Sequence, residues 1–133
     1  MKTTAARISS LVLLAITTSA SMAQTQLLRK DLLQVLLTQQ PLSQIEVKQV
    51  TMPVGQTAPK HTHPCPVVGY VASGSVLFQI EGEEKRVIQR GEAFYEPKDK
   101  VILHFDNDSA HEPLTFIAVY LKQADEGLIQ LVK

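Results

Sequence analysis

From Ser43 to the C-terminus, turn-forming residues cut the chain into short apolar runs, and this pattern limits the fold more than any other feature. Ile45 and Val47 alternate with Glu46 and Lys48 as far as Met52, and Pro53-Val54-Gly55 then supplies a turn. Val67–Ala72 is an apolar run that stops at Ser73-Gly74. Val76, Phe78 and Ile80 alternate with their neighbours up to a hairpin turn at Glu81-Gly82. Lys85–Gln89 returns to Arg90-Gly91, and Ala93–Glu96, Val101–Phe105 and Leu114–Leu121 come next, each bounded by Pro, Asp, Asn or Gly. Short runs of period two, spaced by residues that tolerate tight backbone reversal, predict an all-β antiparallel sandwich or barrel. No alternation of strands with helical runs supports a parallel sheet.

The segment before Ser43 has a different character. MKTTAARISS carries Lys2 and Arg7 and no acid, LVLLAI comes after it, and TTSASMAQ ends it with small residues at Ser21 and Ala23. That order of basic, apolar and small residues predicts a secretory signal peptide over 1–23, cut after Ala23, and so a periplasmic or secreted protein. The apolar run falls well short of the roughly 20 residues that span a bilayer, so no stable membrane anchor is expected. Residues 24–42 read as an N-terminal arm or helix: Leu27, Leu28, Leu32, Val35 and Leu36 recur at helical spacing, but an extended arm ending at Pro41 fits equally. The β-domain is then 43–133. Without Lys2 and Arg7, 11 bases face 13 acids, and no basic stripe is present. Nucleic acid is therefore not expected as a partner. The single cysteine, Cys65, cannot form an internal disulfide, which leaves the fold to its core.

The most concentrated chemistry lies in KHTHPCPVVGY, where His61, His63 and Cys65 fall within five positions. Pro64 and Pro66 bias the residues before them, His63 and Cys65, toward extended backbone. In a β-type segment the two imidazoles would project to one side, which the threefold repeat of polyproline geometry would not give; co-facing and with the Cys65 thiolate, they would suit a soft metal such as copper or zinc. The contrasting reading is a free thiol packed as a small hydrophobe.

These residues also carry a resemblance. Gly55, five intervening residues, His61-Thr62-His63 and then Gly74 match the first motif of the small single-domain cupins, in which a glutamate stands seven residues before the last glycine. Gly91, five residues and Pro97 match the start of their second motif, which continues with a glycine, a histidine and an asparagine. The chain thus resembles the cupin type-2 members of the RmlC-like jelly-roll superfamily over about Val47–Tyr120. The resemblance implies a double-stranded β-helix barrel and a ligand set of three histidines and one carboxylate. Here the glutamate position is Val67, the second glycine position is Asp99 and the third histidine position is Ile102. Only His61 and His63 carry over.

His104, two residues beyond Ile102, is expected on the same strand face and completes the candidate set His61, His63 and His104, with Cys65 as the alternative. Glu96 ranks behind His104, because Lys98 and Lys100 suit it to a surface ion pair. His111 reads as a turn residue. Of Tyr70, Phe78, Phe94, Phe105 and Phe116, most are expected in the core and one or two at a pocket. The resemblance implies a divalent metal (Zn, Cu, Fe, Mn or Ni) and a small-molecule ligand in the barrel, with dioxygenase- or isomerase-like chemistry. A non-catalytic small-molecule binder, or a periplasmic metal-binding protein whose catalytic ligand set has been lost, is the alternative. A homodimer is expected, with Leu27–Leu37 exchanged between subunits.

Overall fold

The structure is a computed structural model that describes residues 26–123 and 125–133. The signal peptide expected over 1–23 lies outside the described residues. Among the described residues nine strands succeed one another: β1 (Gln44–Met52), β2 (His61–Thr62), β3 (Val67–Ser73), β4 (Ser75–Ile80), β5 (Arg86–Gln89), β6 (Ala93–Glu96), β7 (Ile102–Asn107), β8 (Leu114–Lys122) and β9 (Gln130–Leu131). Among the described residues there is no helix.

The strands form two antiparallel sheets, ordered β1-β8-β3-β6 and β5-β4-β7-β2-β9. Each sheet brings together strands far apart in sequence, as a jelly roll must. The alternation legible in the sequence becomes the two faces of each strand. On β4, Val76, Phe78 and Ile80 are buried and their neighbours half-buried; on β8, Leu114, Phe116, Ala118 and Tyr120 point inward.

All four phenylalanines meet between the sheets. Phe94 of β6 and Phe116 of β8 contact Phe105 of β7, with ring centroids 5.2 and 4.8 Å away, and Phe78 of β4 stands 6.0 Å from Phe105. Edge-on and tilted rings at these separations add to the burial of apolar area. The cluster needs Gly69 beneath it: a Cβ there would lie 1.9 Å from the tip of the Phe94 ring. Gly74 has φ +75°, and a Cβ on it would meet the Pro113 carbonyl oxygen at 2.8 Å, so the β3–β4 turn accepts no side chain.

Strand β7 carries one residue more than its partner. Gln79 pairs with His104 but Ile80 pairs with Ile102, so Leu103 is bulged out of the ladder. Ile102 and Phe105 therefore both face inward although they are three positions apart, and His104 faces away.

The N-terminal segment is the arm of the two readings. Residues 26–43 have no regular structure, and Leu27, Leu28 and Leu36 are among its exposed side chains. An isolated helix of about 16 residues is marginal in water without a surface for its apolar stripe, and helical spacing alone does not supply one.

Candidate metal centre

Strand β2 is only two residues long. It is held between β7, through His61 opposite Ile102, and β9, through His61 opposite Leu131 and Thr62 opposite Gln130. Thr62 faces out, so His61 and His63 face in; both are buried, with ring centroids 5.0 Å apart. Asp99 N donates to the His63 carbonyl oxygen at 2.8 Å and ties this segment to the turn after β6.

Each imidazole is fixed through Nδ1. His61 Nδ1 lies 2.7 Å from the Pro59 carbonyl oxygen, and His63 Nδ1 contacts the Leu128 carbonyl oxygen. A carbonyl only accepts, so both Nδ1 atoms carry hydrogen and donate. In the neutral tautomer each Nε2 then presents a lone pair, and both point at one carboxylate: His63 Nε2 is 3.2 Å and His61 Nε2 3.7 Å from Glu96 oxygens. Glu96 is buried, and its Oε1 has no hydrogen-bond partner.

Two lone pairs and a carboxylate do not face each other without a cation between them. One such cation is a proton on an imidazole. Burial opposes charge on His63, but the hydrogen bond to Glu96 and its negative charge raise the His63 pKa above the ordinary value. Burial likewise pushes the Glu96 carboxyl up, and the two imidazoles more than offset it, leaving it below the carboxylate range. A proton serves one nitrogen and leaves Oε1 orphaned. A metal ion serves all three groups, whose ligating atoms lie within 4.8 Å of one another. Histidine ligands held by a carbonyl at the far ring nitrogen are the usual outer support of a metal site.

The three residues open on a cavity of about 250 Å³. Val50, Met52, Phe105, Phe116, Ala118 and Ile129 form its apolar wall, and Tyr120 lines the same end as the histidines, its ring 5.8 Å from that of His63. Burial, and then the charge of Glu96, push the Tyr120 phenol up to about 12, so it stays protonated.

The family model for the cupin domain matches residues 48–120. The chain belongs to the cupin family. Comparison with curated proteins finds no match. Among solved structures, this cupin is similar to an oxalate oxidase in complex with the substrate analogue glycolate, at 26% identity and TM-score 0.57, over 66% of this chain and 46% of that one. It is similar to a DMSP lyase from Ruegeria pomeroyi at 19% identity and TM-score 0.58, over 66% and 43% of the two chains. A cupin-like protein from Thermotoga maritima matches at 23% identity and TM-score 0.57, over 66% and 64%. The chain thus spans under half the length of the first two.

The cupin motif positions lie around this site. Val67, at the glutamate position, is directly opposite Glu96 in the β3–β6 ladder. Cross-strand partners share a face, so the carboxylate enters the same hollow from the neighbouring strand. Asp99, at a glycine position, has a left-handed backbone, with φ 59°, which glycine adopts freely and aspartate tolerates better than most residues. The bulge at Leu103 shifts the remainder of β7 by one, and Asn107 stands where counting puts Asp106. Its Nδ2 donates to the carbonyls of Met52, Pro53 and Glu112, at 3.3, 2.9 and 3.0 Å.

The structure corrects two expected placements. His104 does not join His61 and His63; the bulge turns it outward, where its Nδ1 pairs with Asp106 Oδ2 at 2.7 Å and its side chain is 36% exposed. Cys65 follows the contrasting reading of a small packed hydrophobe: it is fully buried within the hydrophobic core, where burial pushes its thiol pKa up, and it is not one of the three converging groups. Glu96 takes the third place and is no surface ion pair; Lys98 pairs instead with Glu126, at 3.3 Å. The signal for Glu96 was present in GEAFYEP. If Phe94 is core, Glu96, two residues on, must face the same way.

Proposed function

We propose that this protein is an exported cupin that holds a divalent metal ion on His61 Nε2, His63 Nε2 and the Glu96 carboxylate, and binds a small organic molecule beside it. The observation that carries the reading is the buried Glu96 Oε1, left without a partner where two imidazole lone pairs converge. The donor set is two neutral imidazoles and one carboxylate with no thiolate, which suits Fe, Mn, Ni or Zn in the divalent state better than a soft ion. Such an ion supplies Lewis acidity toward a ligand oxygen, as a dioxygenase- or isomerase-like reaction requires.

The chain's own residues perform the rest. The Pro59 and Leu128 carbonyls fix the imidazole tautomers, and Phe105 and Phe116 keep water from the apolar wall. Tyr120 offers a protonated hydroxyl as donor at the same end.

The test is metal content. Tag-free protein is expected to carry about one equivalent of a first-row divalent ion. His63→Ala and Glu96→Gln should each lose it, while His104→Ala should keep it. Full retention of metal by Glu96→Gln, or its loss from His104→Ala alone, would refute this site. Export is tested by sequencing the N-terminus of the mature protein, expected to begin at Gln24.

A further inference from the structure

We propose that the cavity beside His61, His63 and Glu96 takes a ring-sized molecule, apolar in its body, that carries at most one negative charge and presents it toward those three residues. The proposal rests on the metal reading above and adds the class of ligand.

Size sets the first limit. An engineered apolar cavity of about 150 Å³ takes up benzene. The cavity here is about 250 Å³, room for a ring and a short substituent.

Charge sets the second. A divalent ion held by two neutral imidazoles and the Glu96 carboxylate has a net charge of one. A single anionic oxygen neutralises it, and the complex is then compatible with an apolar enclosure. A second anionic group would have to lie against Val50, Phe105 or Phe116, and among the described residues lining the cavity there is no lysine or arginine. Lys122, the next inward position after Tyr120 on β8, is engaged by Glu46 at 3.1 Å. A buried charge without a partner is among the costliest things a site can hold.

Polar groups are confined to the histidine end and the rim, where Gln56 and Thr57 stand. A ligand therefore has one polar end and one apolar end. Terephthalate is excluded by the second charge it would set against the wall, and oxalate falls outside the class because it has no apolar body.

The experiment uses tag-free protein loaded with Zn(II), its zinc content measured first, and isothermal titration with benzoate, terephthalate, acetate and oxalate. Benzoate is expected to bind at one equivalent, and terephthalate, oxalate and acetate at least about tenfold more weakly. Val50→Arg gives the wall a cation and should raise terephthalate relative to benzoate by about tenfold with zinc content unchanged. Ala118→Leu, which only fills the cavity, should weaken benzoate and keep zinc. Zinc-loaded protein that binds terephthalate or oxalate as tightly as benzoate, or that binds no benzoate, overturns the proposal. If zinc is not retained, the metal reading fails, and the ligand class is then read in metal-free protein. There phenol should raise Tm and phenyl phosphate should not; a shift with phenyl phosphate, or none with phenol, overturns it.

Discussion

Glu96 is the residue on which the site turns, and its carboxylate faces the histidines with or without a metal. In chelated protein the pair it makes with His63 has a definite pH signature. The His63 pKa is raised above 6.5, so its contribution to stability is complete below that pH and fades as pH climbs through the raised value. The Glu96 pKa is lowered below 4.5, so its contribution is complete above that pH and fades as pH falls through the lowered value. The Tm difference between wild type and Glu96→Gln, tracked from pH 3 to 9 in chelator, is expected to favour wild type most between 4.5 and 6.5. A difference that does not vary with pH would contradict the pairing. At this scale the sequence was half legible. His61 and His63 announced themselves because a two-residue spacing on a β-strand sets both side chains on one face, and because the cupin motif has histidines at both positions. Glu96 did not, because neighbouring Lys98 and Lys100 offered an easier partner and only the parity with Phe94 argued otherwise.

Seven of the nine described strands were legible because each alternates or runs apolar and is closed by a turn residue, which leaves the chain few other ways to hide its apolar side chains; the two-residue β2 and β9 are too short to show such a pattern. What single strands do not disclose is their partners. That Val67 lies opposite Glu96 is a property of the β3–β6 register, and only that register explains how a carboxylate can leave one motif position and still reach the same hollow. The register also depends on Gly69, opposite Phe94 in the same ladder. Gly69→Ala drives a methyl into the Phe94 ring, within an aromatic cluster that has little room to yield, and is expected to cost about 1–3 kcal/mol. Chemical denaturation should show a lower midpoint with an unchanged slope, and a wild-type midpoint would mean that Phe94 is free to swing away.

Seen whole, the molecule has one sheet that is apolar on both sides. Ile45, Val47 and Tyr70 are exposed on the outer face of β1-β8-β3-β6, and Val68, Ile117 and Val119 are half-buried beside them. The leucine-bearing arm passes over part of this face and leaves a gap of about 450 Å³ between Leu32, Leu33 and the sheet. Its first backbone tie among the described residues is Ser43 N to Lys122 O, at 3.0 Å. Exposed apolar area on this scale is a common mark of an interface. Light scattering is expected to give twice the chain mass for residues 24–133 and a lower mass once 24–40 are removed. An unchanged mass on truncation would take the arm out of the association.

The extra residue in β7 has a consequence for how this chain is compared with others. Any alignment that forbids a gap near Leu103 reads one column out of step to the end of the strand. It would set Asp106 under the cupin asparagine and misjudge both that acid and Asn107. One residue too many is enough to hide a retained asparagine.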